Sequence, residues 1–208
     1  MYLGLDGKGL TVFNTESNSI KEYNKDFKNS VGGDYIQCIY ESKNKTLWMG
    51  TYANGIINFN PKTNSYKQYK HETDNPKSLS FNDVRSIIED DKNNLWVASW
   101  GGGLNYFDTS KNEFTAFREN KNDLTSISND NIVSMIKDGN TLWLGTYGGG
   151  INLFNTDTKK ATRLKNLDKN HNSIDSDNIL SLLKDSKGNI WIGDSEGGIN
   201  RFDFETKM

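Results

Sequence analysis

One string recurs five times along the 208 residues, and it limits the possible folds more than any other feature. It reads YLGLDGKGLTVFN from Tyr2, WMGTYANGIINFN from Trp48, WVASWGGGLNYFD from Trp96, WLGTYGGGINLFN from Trp143 and WIGDSEGGINRFD from Trp191. The leading aromatics stand 46, 48, 47 and 48 residues apart. Eleven residues after each comes a Phe (Phe13, Phe59, Phe107, Phe154, Phe202), followed by Asn or Asp. A small residue sits two after the aromatic (Gly4, Gly50, Ala98, Gly145, Gly193), and a Gly opens the next apolar run. Self-similarity at a fixed period of this size marks an array of like units, none of which can bury its faces alone.

Each period reads as four short strands. Strand a covers 36–41, 84–89, 132–137 and 179–184. Strand b is the segment around the Trp, as in 47–51, and strand c runs as in 56–59. Strand d is 66–69, 114–117 and 161–164. The a-to-b turns at 91–94, 138–140 and 186–189 and the c-to-d turn at 60–64 are rich in Asn, Asp and Gly, which tolerate positive φ. No window carries a sustained helical apolar stripe, so the fold class is all-β. Four antiparallel strands every 47 residues or so is the pattern of a β-propeller. The expected repeat units are 2–35, 36–83, 84–131, 132–178 and 179–208, in a single propeller segment.

These residues also carry a family resemblance. The string Leu-Trp-x-Gly-Thr-x-x-Gly-Gly-Leu/Ile-Asn-x-Phe-Asp/Asn resembles the two-component regulator propeller repeat. So does the segment before strand a, plain in Ser78-Leu79-Ser80-Phe81-Asn82-Asp83-Val84 and Ser126-Ile127-Ser128-Asn129-Asp130-Asn131-Ile132. The resemblance spans nearly the whole chain, with Tyr2 in place of the first Trp and Val31-Gly32-Gly33-Asp34 in place of a Ser-Leu-Ser segment.

Composition excludes several other classes. With 25 Lys+Arg against 27 Asp+Glu the formal net charge is -2, and no basic track offers the electrostatic attraction that nucleic-acid binding needs. No run approaches 18 apolar residues, so no membrane span lies in this segment. Cys38 is the single cysteine, and no Cys/His set has metal-ligand spacing. The N-terminus lacks the charged and apolar regions of a leader, which leaves a cytosolic protein or a piece of something longer as the readings. No cofactor is expected.

The strands do not add up to closed blades. The chain holds b-c-d, three complete a-b-c-d sets, then a-b-c, and no integer number of blades uses every strand. Two blade faces left open, each roughly 300 Å², would be apolar patches of interaction-site size. The segment is therefore expected to be part of a larger ring, or one half of an assembly through its open faces; the resemblance implies rings of about seven blades.

Candidate functional residues are departures from the repeat on the b-to-c and d-to-a loops. Four residues after the Trp stand Tyr52, Trp100 and Tyr147, aromatics suited either to stacking on a sugar or peptide or to packing on neighbouring loops. Asp194 and Glu196 replace the Thr/Ser and small-residue columns, as a cation-binding or acid/base pair or as solvated loop charges. Arg85 breaks the Gln37/Val133/Leu180 column, where it could meet an anionic ligand or an acidic partner. Asp83, Asn131 and Asn178, just before strand a, are expected to bond loop backbone as Asx turns. Trp48, Trp96, Trp143, Trp191 and the Phe column are expected in the core, and Cys38, aligned with Ser86, Ser134 and Ser181, is read as structural. His71 and His171 occupy non-corresponding loop positions and suggest no shared catalytic element.

The resemblance implies the extracytoplasmic input domain of a membrane-bound signalling protein, such as a histidine kinase or hybrid two-component system. It further implies a small-molecule ligand, carbohydrate in particular, bound without chemistry. The alternatives are a protein-interaction scaffold and, with less in the sequence to support it, a propeller lyase or glycosidase, which would need a positioned acid/base pair or a metal.

Overall fold

The computed structural model describes residues 1–23, 35–167 and 173–204; Val31 to Asp34 and His171 lie outside these. The described residues form strands and no helix. The first sheet comprises β1 (Tyr2–Leu5), β2 (Gly9–Asn14) and β3 (Ser19–Tyr23). The second comprises β4 (Ile36–Glu41), β5 (Leu47–Thr51), β6 (Ile56–Asn60) and β7 (Ser65–Tyr69). The third comprises β8 (Val84–Glu89), β9 (Leu95–Ser99), β10 (Gly103–Asp108) and β11 (Glu113–Phe117). The fourth comprises β12 (Ile132–Asp138), β13 (Thr141–Thr146), β14 (Gly150–Asn155) and β15 (Lys160–Leu164), and the last β16 (Ile179–Lys184), β17 (Ile190–Asp194) and β18 (Ile199–Phe202). Each sheet is an antiparallel meander in chain order, with three strands at the two ends and four between, as the strand count anticipates.

The turn chemistry is as the sequence suggests. Asn93, Asn64 and Asn112 take φ values of 63, 55 and 59°, and Gly139 and Gly188 take 56 and 88°, left-handed geometry that Asn and Gly adopt at least cost. One recurring irregularity is not visible in the sequence. Strand a carries a register shift at the same place in all four copies, between Ile36 and Cys38, Val84 and Ser86, Ile132 and Ser134, and Ile179 and Ser181. The residue skipped by each bulge is Gln37, Arg85, Val133 or Leu180, and a bulge re-aims its side chain.

The chain divides into two compact units. One holds Met1–Ser99 with Asn105–Ala116, the other Trp100–Leu104 with Phe117–Met208. In the first unit, one apolar cluster gathers Leu10, Ile36, Leu47, Met49, Ile57 and Phe59, and another Trp48, Ile56, Leu79, Val84, Val97 and Phe107. The Trp48 ring meets Phe107 edge-on, with centroids 5.9 Å apart at 72°. In the second unit, Trp143, Ile151, Ile179, Leu182, Ile190, Ile192 and Phe202 cluster, and Trp143 meets Phe202 at 4.7 Å and 77°. The Trp of one blade thus packs on the Phe of the following one.

This pairing explains the burial patterns. β5 is buried along its full length, because Leu47 and Met49 pack in the cluster with Leu10 of the first sheet and Trp48 in the cluster with Val84 and Phe107 of the third. β17 instead alternates, with Ile190 and Ile192 buried and Trp191 exposed. Trp191, expected in the core with its counterparts, is therefore a surface residue, and Phe13 at the other end is only half-buried. Both lie on faces with no further described blade against them. Cys38 is packed against the second cluster of the first unit; burial pushes its thiol up to about 12, against smaller lowering contributions from the Gly50 backbone and Arg85.

Candidate functional site: an aromatic loop ledge

The b-to-c loops that bear Tyr52 and Tyr147 are held by backbone hydrogen bonds in two directions, and the Trp100 loop toward the following strand a. Within a blade, Tyr52 N donates to Tyr35 O (3.0 Å), Tyr147 N to Asn131 O (2.9 Å) and Ser195 N to Asn178 O (3.0 Å). Toward the following strand a, Gly55 N donates to Asn82 O, Gly101 and Gly103 N both to Asp130 O, and Gly148 and Gly150 N both to Asp177 O. The column Gly55, Gly103, Gly150 has φ of 70–71°. A Cβ there would stand within 2.2–2.5 Å of a strand-d carbonyl oxygen, so only glycine fits.

The side-chain anchoring falls one residue earlier than the sequence suggests. Asp83, Asn131 and Asn178 are not the Asx residues that bond the loops; Asn82, Asp130 and Asp177 are. Their Oδ1 atoms accept from the backbone N of His71, Glu119 and Asn166 at 2.8 Å each. Their neighbours are occupied otherwise: Asp83 faces Arg85, and Asn131 and Asn178 offer their carbonyls to the ledge. Beneath this, Ser80 and Ser128 each form a reciprocal pair with a buried Asn. Ser128 N donates to Asn152 Oδ1 and Asn152 Nδ2 to Ser128 Oγ, both at 2.8 Å; Ser80 and Asn105 repeat this at 3.0 and 2.8 Å. The Ser-Leu/Ile-Ser segment thereby joins the Gly-Leu/Ile-Asn segment, with Leu79 and Ile127 buried between.

On this frame the structure brings Trp100 and Tyr147 together, centroids 5.5 Å apart and planes at 45°, Trp100 half-buried and Tyr147 exposed. Arg118, which sequence reasoning passed over, fixes the Trp100 loop. Its Nη2 donates to Gly101 O (2.7 Å) and its Nε to Asp130 Oδ2 (2.9 Å). Tyr52 belongs to the other unit, where its exposed ring stands edge-on to exposed Tyr35, centroids 6.5 Å apart at 61°. Only the identity of Tyr35, aromatic where its counterparts are Asp83, Asn131 and Asn178, signals that contact in the sequence.

The charged candidates have partners within their own loops. Arg85 meets Asp83 at two points, Nε to Oδ1 and Nη2 to Oδ2, both 2.7 Å. Asp194 is buried, and its carboxylate accepts from Glu196 N (2.8 Å), Gly198 N (3.1 Å) and Asn200 Nδ2 (3.4 Å). It closes the turn that Thr51 and Thr146 close elsewhere by donating to Gly55 O and Gly150 O. The Glu196 side chain is exposed. Among the described residues no group of three or more His, Cys, Asp or Glu is placed to hold a metal ion. The ledge therefore offers flat aromatic surface beside backbone and carboxamide polar groups, an arrangement suited to binding.

The sequence model described as "two component regulator propeller" matches residues 30–53, 78–101 and 173–196, each ending at the ledge loop. These three segments are two-component regulator propeller repeats. The described fold is that of a β-propeller segment. It is similar to the extracellular domain of a protein described as a hybrid two-component system from B. thetaiotaomicron (TM-score 0.78, 24% identity, 97% of this chain and 27% of that one). A second such domain from the same organism gives a TM-score of 0.76 and 24% identity over 96% of this chain and 25% of that one. PorZ of Porphyromonas gingivalis, described as a surface component of the type-IX secretion system, gives 0.74 and 16% over 100% and 31%. The chain thus spans about a quarter to a third of the length of these structures. No curated protein matches it in sequence. No helix of the described residues is long and apolar enough to cross a membrane.

Proposed function

We propose that the chain is a ligand-sensing propeller segment of the extracytoplasmic input domain of a two-component signalling protein, and that it binds carbohydrate without chemistry of its own. The observation that carries this reading is the Trp100–Tyr147 pair, presented by loops that backbone hydrogen bonds tie to Asp130 and Asp177. Indole and phenol rings take the C–H face of a pyranose while their N–H, O–H and neighbouring amides take its hydroxyls. Rings already held in place lose little conformational freedom on binding, which favours affinity. The similarity to extracellular domains of two-component systems supports the placement outside the cytoplasm. In such a protein, ligand affects the output only by its differential affinity for two conformational states, so a binding segment needs no catalytic group.

A glycan array probed with the chain and with its Trp100→Ala variant tests the reading. Retention of one sugar class by the wild type and its loss in the variant supports it. An array with no retained glycan contradicts it and favours a protein-binding surface.

A further inference from the structure

The loops that carry Tyr52 and Trp100 differ in the state of one cation. A basic residue directly follows strand d in both, Lys70 after Tyr69 and Arg118 after Phe117. In the Trp100 loop that cation is already matched, since Arg118 Nε and Nη2 meet Asp130 Oδ2 at 2.9 and 2.8 Å. The Tyr52 loop has neutral Asn82 where that aspartate stands, and the Asn82 Oδ1 accepts from His71 N. Lys70 Nζ instead donates to the carboxamide oxygen of Asn54 at 3.0 Å. An ammonium carries three donors, so this bond holds it in place without cancelling its charge.

Asn54 lies two residues after Tyr52 in a loop that is closed on itself. Thr51 Oγ1 donates to Gly55 O and accepts from Asn54 N, both at 2.9 Å, and Gln68 Nε2 donates to Asn54 O at 2.9 Å. Gly55 N donates to Asn82 O and Tyr52 N to Tyr35 O. The edge-on phenols of Tyr35 and Tyr52, the Asn54 carboxamide and the exposed Lys70 are thus carried by one bonded frame within the first unit. Other charged groups along its loops have partners of their own. Asp83 is paired with Arg85, Glu72 accepts from Asn75 Nδ2, and His71 Nδ1 donates to Leu79 O.

We propose that Tyr35, Tyr52, Asn54 and Lys70 form a binding site of their own for an anionic sugar, a pyranose that bears a carboxylate or a sulfate. The phenol rings take the C–H face of the pyranose. Lys70 Nζ supplies a charge-assisted bond to the acidic group, about twice as strong as a neutral one. The Trp100 loop lacks this option because Asp130 already takes its cation. The site shares no residue with the Trp100–Tyr147 pair and does not rest on that pair binding carbohydrate.

Calorimetric titration at low salt with trigalacturonate and with a κ-carrageenan tetrasaccharide tests the carboxylate and the sulfate in turn. At least one should bind saturably, and more weakly as salt is raised. Tyr52→Ala and Lys70→Gln, both at exposed positions, should each weaken that binding at least about tenfold, and Trp100→Ala should leave it unchanged. Asn82→Asp keeps the acceptor for His71 N and adds the carboxylate that Asp130 gives to Arg118, so it should weaken the anion by about the same factor with the melting temperature unchanged. Binding of neither anion overturns the proposal, as does binding that Lys70→Gln leaves intact. Loss of binding in Trp100→Ala overturns it by moving the anion to the other pair. A triglutamate peptide bound as tightly as the sugars overturns it as well, because an acidic peptide is then the occupant.

Discussion

Trp100 and Tyr147 are 47 residues apart in sequence, yet their rings stand 5.5 Å apart at 45° on loops that are each tied to a following Asp by two backbone hydrogen bonds. The repeat itself creates this, since the two residues hold the same place in consecutive copies within one unit. Arg118 adds a constraint peculiar to one of the two loops. Arg118→Ala should leave the fold intact, since the residue is half exposed, and weaken ligand binding by releasing the Trp100 loop. Circular dichroism and a binding titration separate the two effects.

The Gly145 socket is filled by Ile179, with no space for another carbon. Gly145→Ala should destabilise the chain by about 1–3 kcal/mol, the usual cost of overpacking, read from the midpoint of urea unfolding.

The reciprocal Ser128–Asn152 pair is buried, so losing one partner strands the other. Asn152→Ala should cost about 1–3 kcal/mol. With Ser128→Ala added, the double variant should cost less than the sum of the two single changes, because the residues share the bond. A double-mutant cycle in urea checks this.

Burial, followed by the hydrogen bond from Tyr106 Oη to Asp90 Oδ2 at 3.0 Å, pushes the Tyr106 phenol up to about 12 from 10.0. A raised acid stabilises the native state below its unfolded value, and that contribution drains away as pH rises from about 10 through about 12. Tyr106→Phe should remove this part of the alkaline loss of stability, seen as a flatter dependence of the unfolding midpoint on pH over that window.

Nearly all of the strand pattern was legible in the sequence, since β5, β9 and β16 follow directly from where the Trp and apolar columns stand. The ledge aromatics were legible too, because loop departures stand out against a repeat. What escaped was geometry that a column alignment does not encode. The bulge in strand a shifts Arg85 out of the pleat, beside Asp83 two residues earlier. The loop-bonding carboxylates and amides fall on Asn82, Asp130 and Asp177, because the residue whose carbonyl meets the glycines is also the one whose side chain accepts from the backbone two residues after strand d. Trp191 is identical in type to Trp48 and Trp143, and only the absence of a following described blade makes it a surface residue. Asp194 reads as a charge but serves as a turn closure, since a carboxylate can accept from the same backbone that Thr51 and Thr146 address as donors.

The most direct test of the central claim is isothermal titration calorimetry of an oligosaccharide panel into the wild-type chain and into Trp100→Ala and Tyr147→Ala. Saturable binding of one sugar class, weakened at least about tenfold (1.4 kcal/mol) by either change, is the expected result. Binding that neither change affects, or no binding across the panel, contradicts a carbohydrate site on the ledge.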